Sequence, residues 1–240
     1  MKTLLGIVIL AMPLWAQAAV SIKPLDQVAV DVFDLKSVQR GADYFVDYCM
    51  GCHSLKHLRY SRIGKDLRLT EEGMRQGLMG EGTKMEDSLL TAMEKEDAEK
   101  WFGVAPPDLS LIARSRGDDW LYSYLKGFYV DPTTPTGVNN IVYQNVGMPN
   151  VLWELQGTQK PVLGKEDGAD VIKDLELVAQ GKMSPQQFDQ AVTDLVTFLA
   201  YAAEPAQYQR LRLGKYVLFG LLILAVLLYR LKKEYWKDIE

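Results

Sequence analysis

The stretch "DYCMGCHSLKH", residues 47–57, contains both cysteines and both histidines of this chain. Within it, Cys49-Met50-Gly51-Cys52-His53 reads C-x-x-C-H. On a helical turn, thiols at i and i+3 lie on one face. Each can add to one vinyl group of a haem, and His53, directly after the second thiol, can then present its ring to the iron. This spacing is the attachment signature of a c-type haem. Covalent haem would use both cysteines, leaving none for structural disulfides and none to mispair during export. Other uses of the cluster fit less well. No βαβ pattern surrounds the cysteines, as a thioredoxin-like redox pair would require. Zinc held by Cys49, Cys52, His53 and His57 would need spacings tighter than structural zinc sites use. If the helical turn continues, His57 stands one turn from His53 on the same face. It is then expected at the surface or beside a propionate, not on the far side of the iron.

The sixth iron ligand must come from Met, Lys, Tyr or water. Met74, Met79, Met85 and Met93 fall in a charged, helix-like stretch. Met183 lies in "GKMSPQQF", where Ser184, Pro185 and Gln187 read as N-cap, N1 and N3 of a helix over 185–203. Met183 and Phe188 then form the hydrophobic staple of that helix, which gives Met183 a structural task. Met148 lies in "NVGMPNVLW". Pro149 holds it extended and Gly147 clears space beside it. On the residues alone both methionines stand, with Met148 the better placed.

Two segments lie outside the haem domain. Residues 1–18, "MKTLLGIVILAMPLWAQA", carry a positive Lys2, an apolar run and an A-x-A site, the pattern of a cleaved export signal. Export places the chain in an oxidising compartment, where c-type haem is attached. From Leu213 to Leu231 the chain is apolar except for Lys215 and Arg230. About 19 residues at about 1.5 Å each span roughly 28 Å, enough for a bilayer core. Lys215 and Arg230 can snorkel, and Tyr216, Tyr229, Tyr235 and Trp236 suit the headgroup belts. The expected organisation is a signal over 1–18, an exported haem domain over 19–210, an anchor over 211–231 and a cytoplasmic tail over 232–240. Residues 20–204 carry 19 Lys/Arg against 28 Asp/Glu, a net charge of −9. Such an acidic exported domain suits a cationic partner and argues against nucleic acid.

Periodicity predicts a helix over 36–47 leading into the haem motif. Polar helices or loops are expected over 66–79 and 86–100, and two short helices over 109–115 and 118–127, broken at Gly117. Pro106-Pro107 forces an extended turn, after which Asp108 or Ser110 can cap. Trp101, Phe102, Trp120, Tyr122, Tyr124, Phe128 and Tyr129 form an aromatic group suited to walling a flat apolar cofactor, or to an ordinary core. Arg114 and Arg116 lie in or beside it, either near a haem propionate or bridged to Asp118 or Asp119. Residues 131–168 read as one long Pro/Gly/Asn-rich loop.

Taken together, "CMGCHSL", "PPDLSLIARSR", "VGMPNVLWELQG", "DLVTFLAYAAEP" and the single late span resemble the cytochrome c1 family, in the same order and over most of the chain. The resemblance implies a mainly α, cytochrome c-like haem domain with long loops and one C-terminal transmembrane helix, carrying one covalent haem c. It implies that Cys49 and Cys52 hold the haem and that His53 and Met148 are the iron ligands. Arg116 would pair with a propionate, and Pro106 and Pro107 would line the haem edge. Trp120 stands where many relatives have Tyr. The acidic insertion of mitochondrial relatives is missing, which marks a bacterial type. The implied function is electron relay from a Rieske iron–sulfur protein to a soluble cytochrome c. The setting is a dimeric quinol–cytochrome c reductase with cytochrome b, in the bacterial inner membrane with the haem domain periplasmic. No substrate site or acid–base pair of its own is expected. An independent membrane-anchored cytochrome feeding an oxidase, or a haem-based sensor, are the alternatives.

Overall fold

The structure is a computed structural model that describes residues 24–166 and 169–237. The expected export signal over 1–18 lies outside the described residues. Helices dominate the chain. Helix α1 (Leu35–Tyr48) opens the domain. It is capped by Asp34, whose side chain accepts from the Lys36 and Ser37 N–H groups, and it runs directly into the C-x-x-C-H turn. Strand β1 (Leu55–Arg59) follows, then α2 (Tyr60–Leu67), α3 (Glu71–Gly77), β2 (Ser88–Leu89), which pairs with β1, and α4 (Lys95–Phe102). Next come α5 (Ile112–Arg116) and α6 (Asp118–Lys126), separated by Gly117 at φ +90°, a backbone setting that favours glycine.

Strands β3 (Phe128–Val130) and β4 (Val138–Asn140) form a short antiparallel ladder. Then α7 (Trp153–Gln156) leads into a hairpin of β5 (Gly157–Glu166) and β6 (Ala169–Gln180). The expected single loop over 131–168 is therefore corrected: it contains β4, α7 and β5. The hairpin escapes a periodicity reading for a physical reason. Pro161 and Gly164 interrupt the sequence pattern of β5, and two register shifts break its alternation. Its base is tied to the domain by Gln159, whose Nε2 donates to the Lys126 and Phe128 carbonyls at 2.8 and 2.9 Å.

Helix α8 (Pro185–Ala203) starts as its sequence requires. The Ser184 hydroxyl accepts from Gln187 N–H, and Gln187 Oε1 accepts from Ser184 N–H. Met183 is partly buried against the core and Phe188 fully buried, as a hydrophobic staple demands. The core lies where α8 crosses α1. A Cβ at Gly41 would overlap the Asp194 carbonyl, so glycine permits the close approach. The buried Asp194 carboxylate is fully partnered there, accepting from Ser37 (2.6 Å), Arg40 (2.6 and 2.8 Å) and Gln190 (3.0 Å).

Helix α9 (Gln207–Tyr235) leaves the domain. Within Gln209–Tyr235 an 18-residue stretch has a mean hydropathy of 2.1 and none of that stretch is buried, so this helix is long and apolar enough to cross a membrane. At its root Arg62 Nη2 donates to the Pro205 carbonyl at 2.6 Å, and Glu204 accepts from Arg210 Nε at 2.5 Å.

Candidate haem site

The C-x-x-C-H segment is a turn beyond the end of α1. The Cys49 N–H completes the helix on the Phe45 carbonyl, and the Cys52 and His53 N–H groups both donate to the Cys49 carbonyl, at 3.0 and 2.8 Å. The helical geometry stops there. The Thr91 hydroxyl donates to the Gly51 carbonyl at 2.8 Å, and Thr91 N–H donates to the Ser54 hydroxyl at 2.9 Å. From Leu55 the chain is extended. The helix does not continue to stack His57 over His53; His57 sits on β1, exposed at the surface as expected, and does not line the cavity.

The segment 107–110 runs beside residues 53–57. Leu109 N–H donates to the Ser54 carbonyl at 2.9 Å, Lys56 N–H to Asp108 Oδ2 at 2.9 Å and His57 N–H to the Ser110 hydroxyl at 3.1 Å. Asp108 and Ser110 therefore tie two strands of chain together and do not cap α5, whose first turn has no side-chain cap. Within this clasp, His53 Nδ1 lies 2.8 Å from the Pro107 carbonyl. A carbonyl can only accept, so Nδ1 carries the proton and Nε2 keeps its lone pair, the arrangement a metal-ligating imidazole needs. Burial pushes the His53 pKa below its ordinary value, and the Pro107 bond and Asp108 only partly oppose this. Burial also pushes the Cys49 thiol up to about 12 and raises that of Cys52. Both thiols are free in the structure.

Beside this segment is a cavity of about 390 Å³, within the range of cofactor sites. Cys49, Cys52, His53, Pro106, Pro107, Arg116, Trp120 and Met148 all line it, so the structure brings together the residues that the resemblance assigns to the haem. Helix α8 contributes Leu195 and Leu199. Arg116 brings a full positive charge, and no carboxylate lines the cavity among the described residues. Its guanidinium lies 5.0 Å from the centre of the Trp120 ring. Arg114 instead pairs with Glu204 at 3.4 Å, away from the cavity, and the alternative bridges to Asp118 or Asp119 do not form. The aromatic group divides. Phe102, Trp120 and Tyr124 line the cavity, whereas Trp101 is exposed and Tyr122, Phe128 and Tyr129 are buried elsewhere.

Sequence reasoning missed two lining aromatics, Tyr48 and Tyr143. Tyr48 could have been found: it directly precedes Cys49 at the end of the helix. Tyr143 lies on an irregular loop with no periodic signal. That loop carries Met148 and is shaped by two asparagines. Asn139 Oδ1 accepts from Asn140 and Asn145 N–H, and Asn140 Oδ1 from Val142 and Tyr143 N–H. Asn140 Nδ2 donates to the Tyr124 carbonyl at 2.8 Å. At Gly147 a Cβ would lie 3.1 Å from the Phe102 carbonyl and 3.2 Å from Val104, tighter than ordinary contact, so glycine lets the loop press against residues 102–104.

The residues present suit a haem. Two thiols, an imidazole with a free Nε2, a thioether and one cation face an apolar space. The cation answers the propionates, and the apolar walls answer the macrocycle. The Cytochrome C1 family model matches residues 26–239. A cytochrome c1 of Allochromatium vinosum is 47% identical over 99% of both chains. An ammonia monooxygenase gamma subunit of Nitrosomonas europaea is 43% identical over 99% of this chain and 98% of its own. A cytochrome c1 of Rhodospirillum rubrum is 27% identical over 87% and 84%. On the family match over nearly the whole chain and this cavity, the chain belongs to the cytochrome c1 family, electron-transfer subunits of the bc1 complex that carry one covalently bound haem c.

Proposed function

We propose that Cys49 and Cys52 hold the haem as thioethers and that His53 Nε2 and Met148 Sδ are its iron ligands. One observation carries the choice of methionine. Of the methionines among the described residues, Met148 alone lines the cavity, while Met74 and Met79 are buried in the core and Met50 and Met183 pack against it. Bound haem supplies a reversible one-electron couple, of relatively high potential with His/Met ligation. The protein does the rest. The Pro107 carbonyl orients His53, Arg116 balances a propionate, Pro106 and Pro107 flank the haem edge, and Trp120 walls one side.

The partners we propose are a Rieske iron–sulfur protein as electron donor, a soluble cytochrome c as acceptor, and cytochrome b as the companion subunit within a dimeric complex. The location is a bacterial inner membrane. Residues 1–18 serve as a removed export signal, 19–210 form the periplasmic haem domain, 211–231 are the single span and 232–240 the cytoplasmic tail. A reporter fused after Glu240 is then cytoplasmic and one fused near Pro205 exported; the reverse pattern would overturn this topology.

Gentle detergent extraction through a tag on this chain tests the assembly. Co-purification of b haem and a Rieske protein is expected. Recovery of this chain with its haem c alone would favour an independent cytochrome feeding an oxidase. A haem-based gas sensor would need an open iron position. A CO titration of the reduced protein separates these readings, because a six-coordinate relay binds little or none.

A further inference from the structure

Helix α6 places one polar atom against the Met148 sulfur. The Tyr124 hydroxyl donates to Met148 Sδ at 3.4 Å. Its ring is held on two sides: stacked on Trp120, with centroids 4.9 Å apart and planes 10° from parallel, and edge-on to Phe128 at 5.3 Å. Its carbonyl is bound by Asn140. The phenol therefore has little freedom to turn away, and its hydroxyl is aimed at the thioether by the same packing that walls the cavity. A thioether sulfur has two lone pairs, so it can accept a hydrogen bond while giving the other pair to a metal.

We propose that Tyr124 is a positioning residue that tunes the haem potential through the Met148 thioether. The inference rests on the reading of Met148 as iron ligand. A hydroxyl proton drawn to the second lone pair withdraws electron density from the sulfur. A poorer sulfur donor stabilises ferric iron less than ferrous iron, because the ferric state depends more on ligand donation. The hydroxyl thus raises the potential and weakens the ferric iron–sulfur bond. The ring contributes packing, which Phe would also supply; the tuning belongs to the oxygen alone.

The test compares Tyr124→Phe with Tyr122→Phe in the full-length haem-loaded protein. Tyr122 is two residues earlier on α6, buried and outside the cavity, and its hydroxyl accepts from Lys126. Three readouts are taken: the sulfur-to-iron charge-transfer band, the midpoint potential and displacement of the ferric ligand by added imidazole. In Tyr124→Phe the band should persist and the potential should fall. Imidazole should bind about two- to fivefold more weakly, the scale of one modest hydrogen bond. Tyr122→Phe should leave all three unchanged. An unaltered potential in Tyr124→Phe with the band intact would overturn the tuning role while leaving Met148 as ligand. Loss of the band in that variant would show that the hydroxyl holds the ligand in place, which also overturns tuning. An equal shift in Tyr122→Phe would reduce the effect to general burial. Absence of the band from the unmutated protein would remove the ligand reading itself, and the inference with it.

Discussion

The segments that carry His53 and Met148 line one cavity but are secured by different means. His53 follows a helix end within a few residues of both cysteines, and the backbone holds it. Its N–H is bound to the Cys49 carbonyl, its ring to the Pro107 carbonyl, and its neighbour Ser54 to Leu109. Met148 sits on an irregular stretch between β4 and α7, where the Asn139 and Asn140 side chains take the place of a ladder. Backbone bonds survive most substitutions, whereas side-chain bonds vanish with one. His53 itself is thus bonded to backbone carbonyls, with the Asp108, Ser110 and Thr91 side chains clasping the chain around it, whereas the Met148 loop depends on a few replaceable side chains.

The largest expected effect removes the local side entirely. Cys49→Ser with Cys52→Ser should abolish covalent haem, read as loss of haem staining on a denaturing gel. Covalent haem retained in the double variant would end the motif reading. Next comes Met148→Leu. Volume is nearly conserved, so packing loss should stay below about 1.5 kcal/mol. The charge-transfer band should disappear, the potential should drop sharply and the reduced protein should bind CO. A variant that keeps the band would move the ligand elsewhere.

Asn140→Ala sharpens the contrast without touching a ligand. Asn140 is fully buried and its side chain makes three hydrogen bonds. Removing them should lower unfolding free energy by roughly 2–4 kcal/mol, and CO should gain access to the reduced haem. If the Met148 side were as firmly held as the His53 side, CO access would not change.

The same contrast explains what could be read in the sequence. Cys49, Cys52 and His53 declare themselves because their chemistry depends on spacing along the chain, which a fold cannot alter. The α8 start at Ser184–Pro185–Gln187 and the long apolar helix α9 are legible for the same reason: capping and hydropathy are local. Met148 was one of two candidates on the residues alone. Only tertiary structure places it at the cavity and leaves Met183 packed at the start of α8. His57 is exposed, as expected, but on strand β1: the helix does not continue past Cys52, because Thr91 and the 107–110 segment draw the chain into a strand. The β5–β6 hairpin stayed hidden because proline, glycine and two register shifts erase the period-two pattern that would announce it.

A smaller effect is expected at Asp108, which stitches the His53 side together. Burial tends to raise its pKa, but hydrogen bonds from Ser110 and Lys56 outweigh burial and hold it below the usual carboxylate range. A carboxyl depressed in the folded state stabilises it at neutral pH. That contribution fades as pH falls through the depressed value, because the folded protein must then take up the proton it had excluded. Asp108→Ala should cost about 1–2 kcal/mol at pH 7, and the difference from the unmutated protein should narrow on acidification. A difference that stays constant down to acid pH would show that the carboxylate charge contributes nothing to the clasp.

The smallest effect should come from the α8 start, which lies outside both segments of the cavity wall. Ser184→Ala removes one cap hydrogen bond, worth about 1 kcal/mol. The reciprocal bond from Ser184 N–H to the Gln187 side chain survives, because it uses the backbone. Met183→Leu keeps an apolar partner for Phe188, so its cost should be below about 1.5 kcal/mol. In both variants the charge-transfer band, the potential and CO binding should match those of the unmutated protein, since neither residue lines the cavity. The pair separates a stability loss from a ligand loss. Should Met183→Leu abolish the band while Met148→Leu spares it, the sulfur on the iron would be at the α8 start, and the proposed division between a backbone-held and a side-chain-held ligand would fall with it.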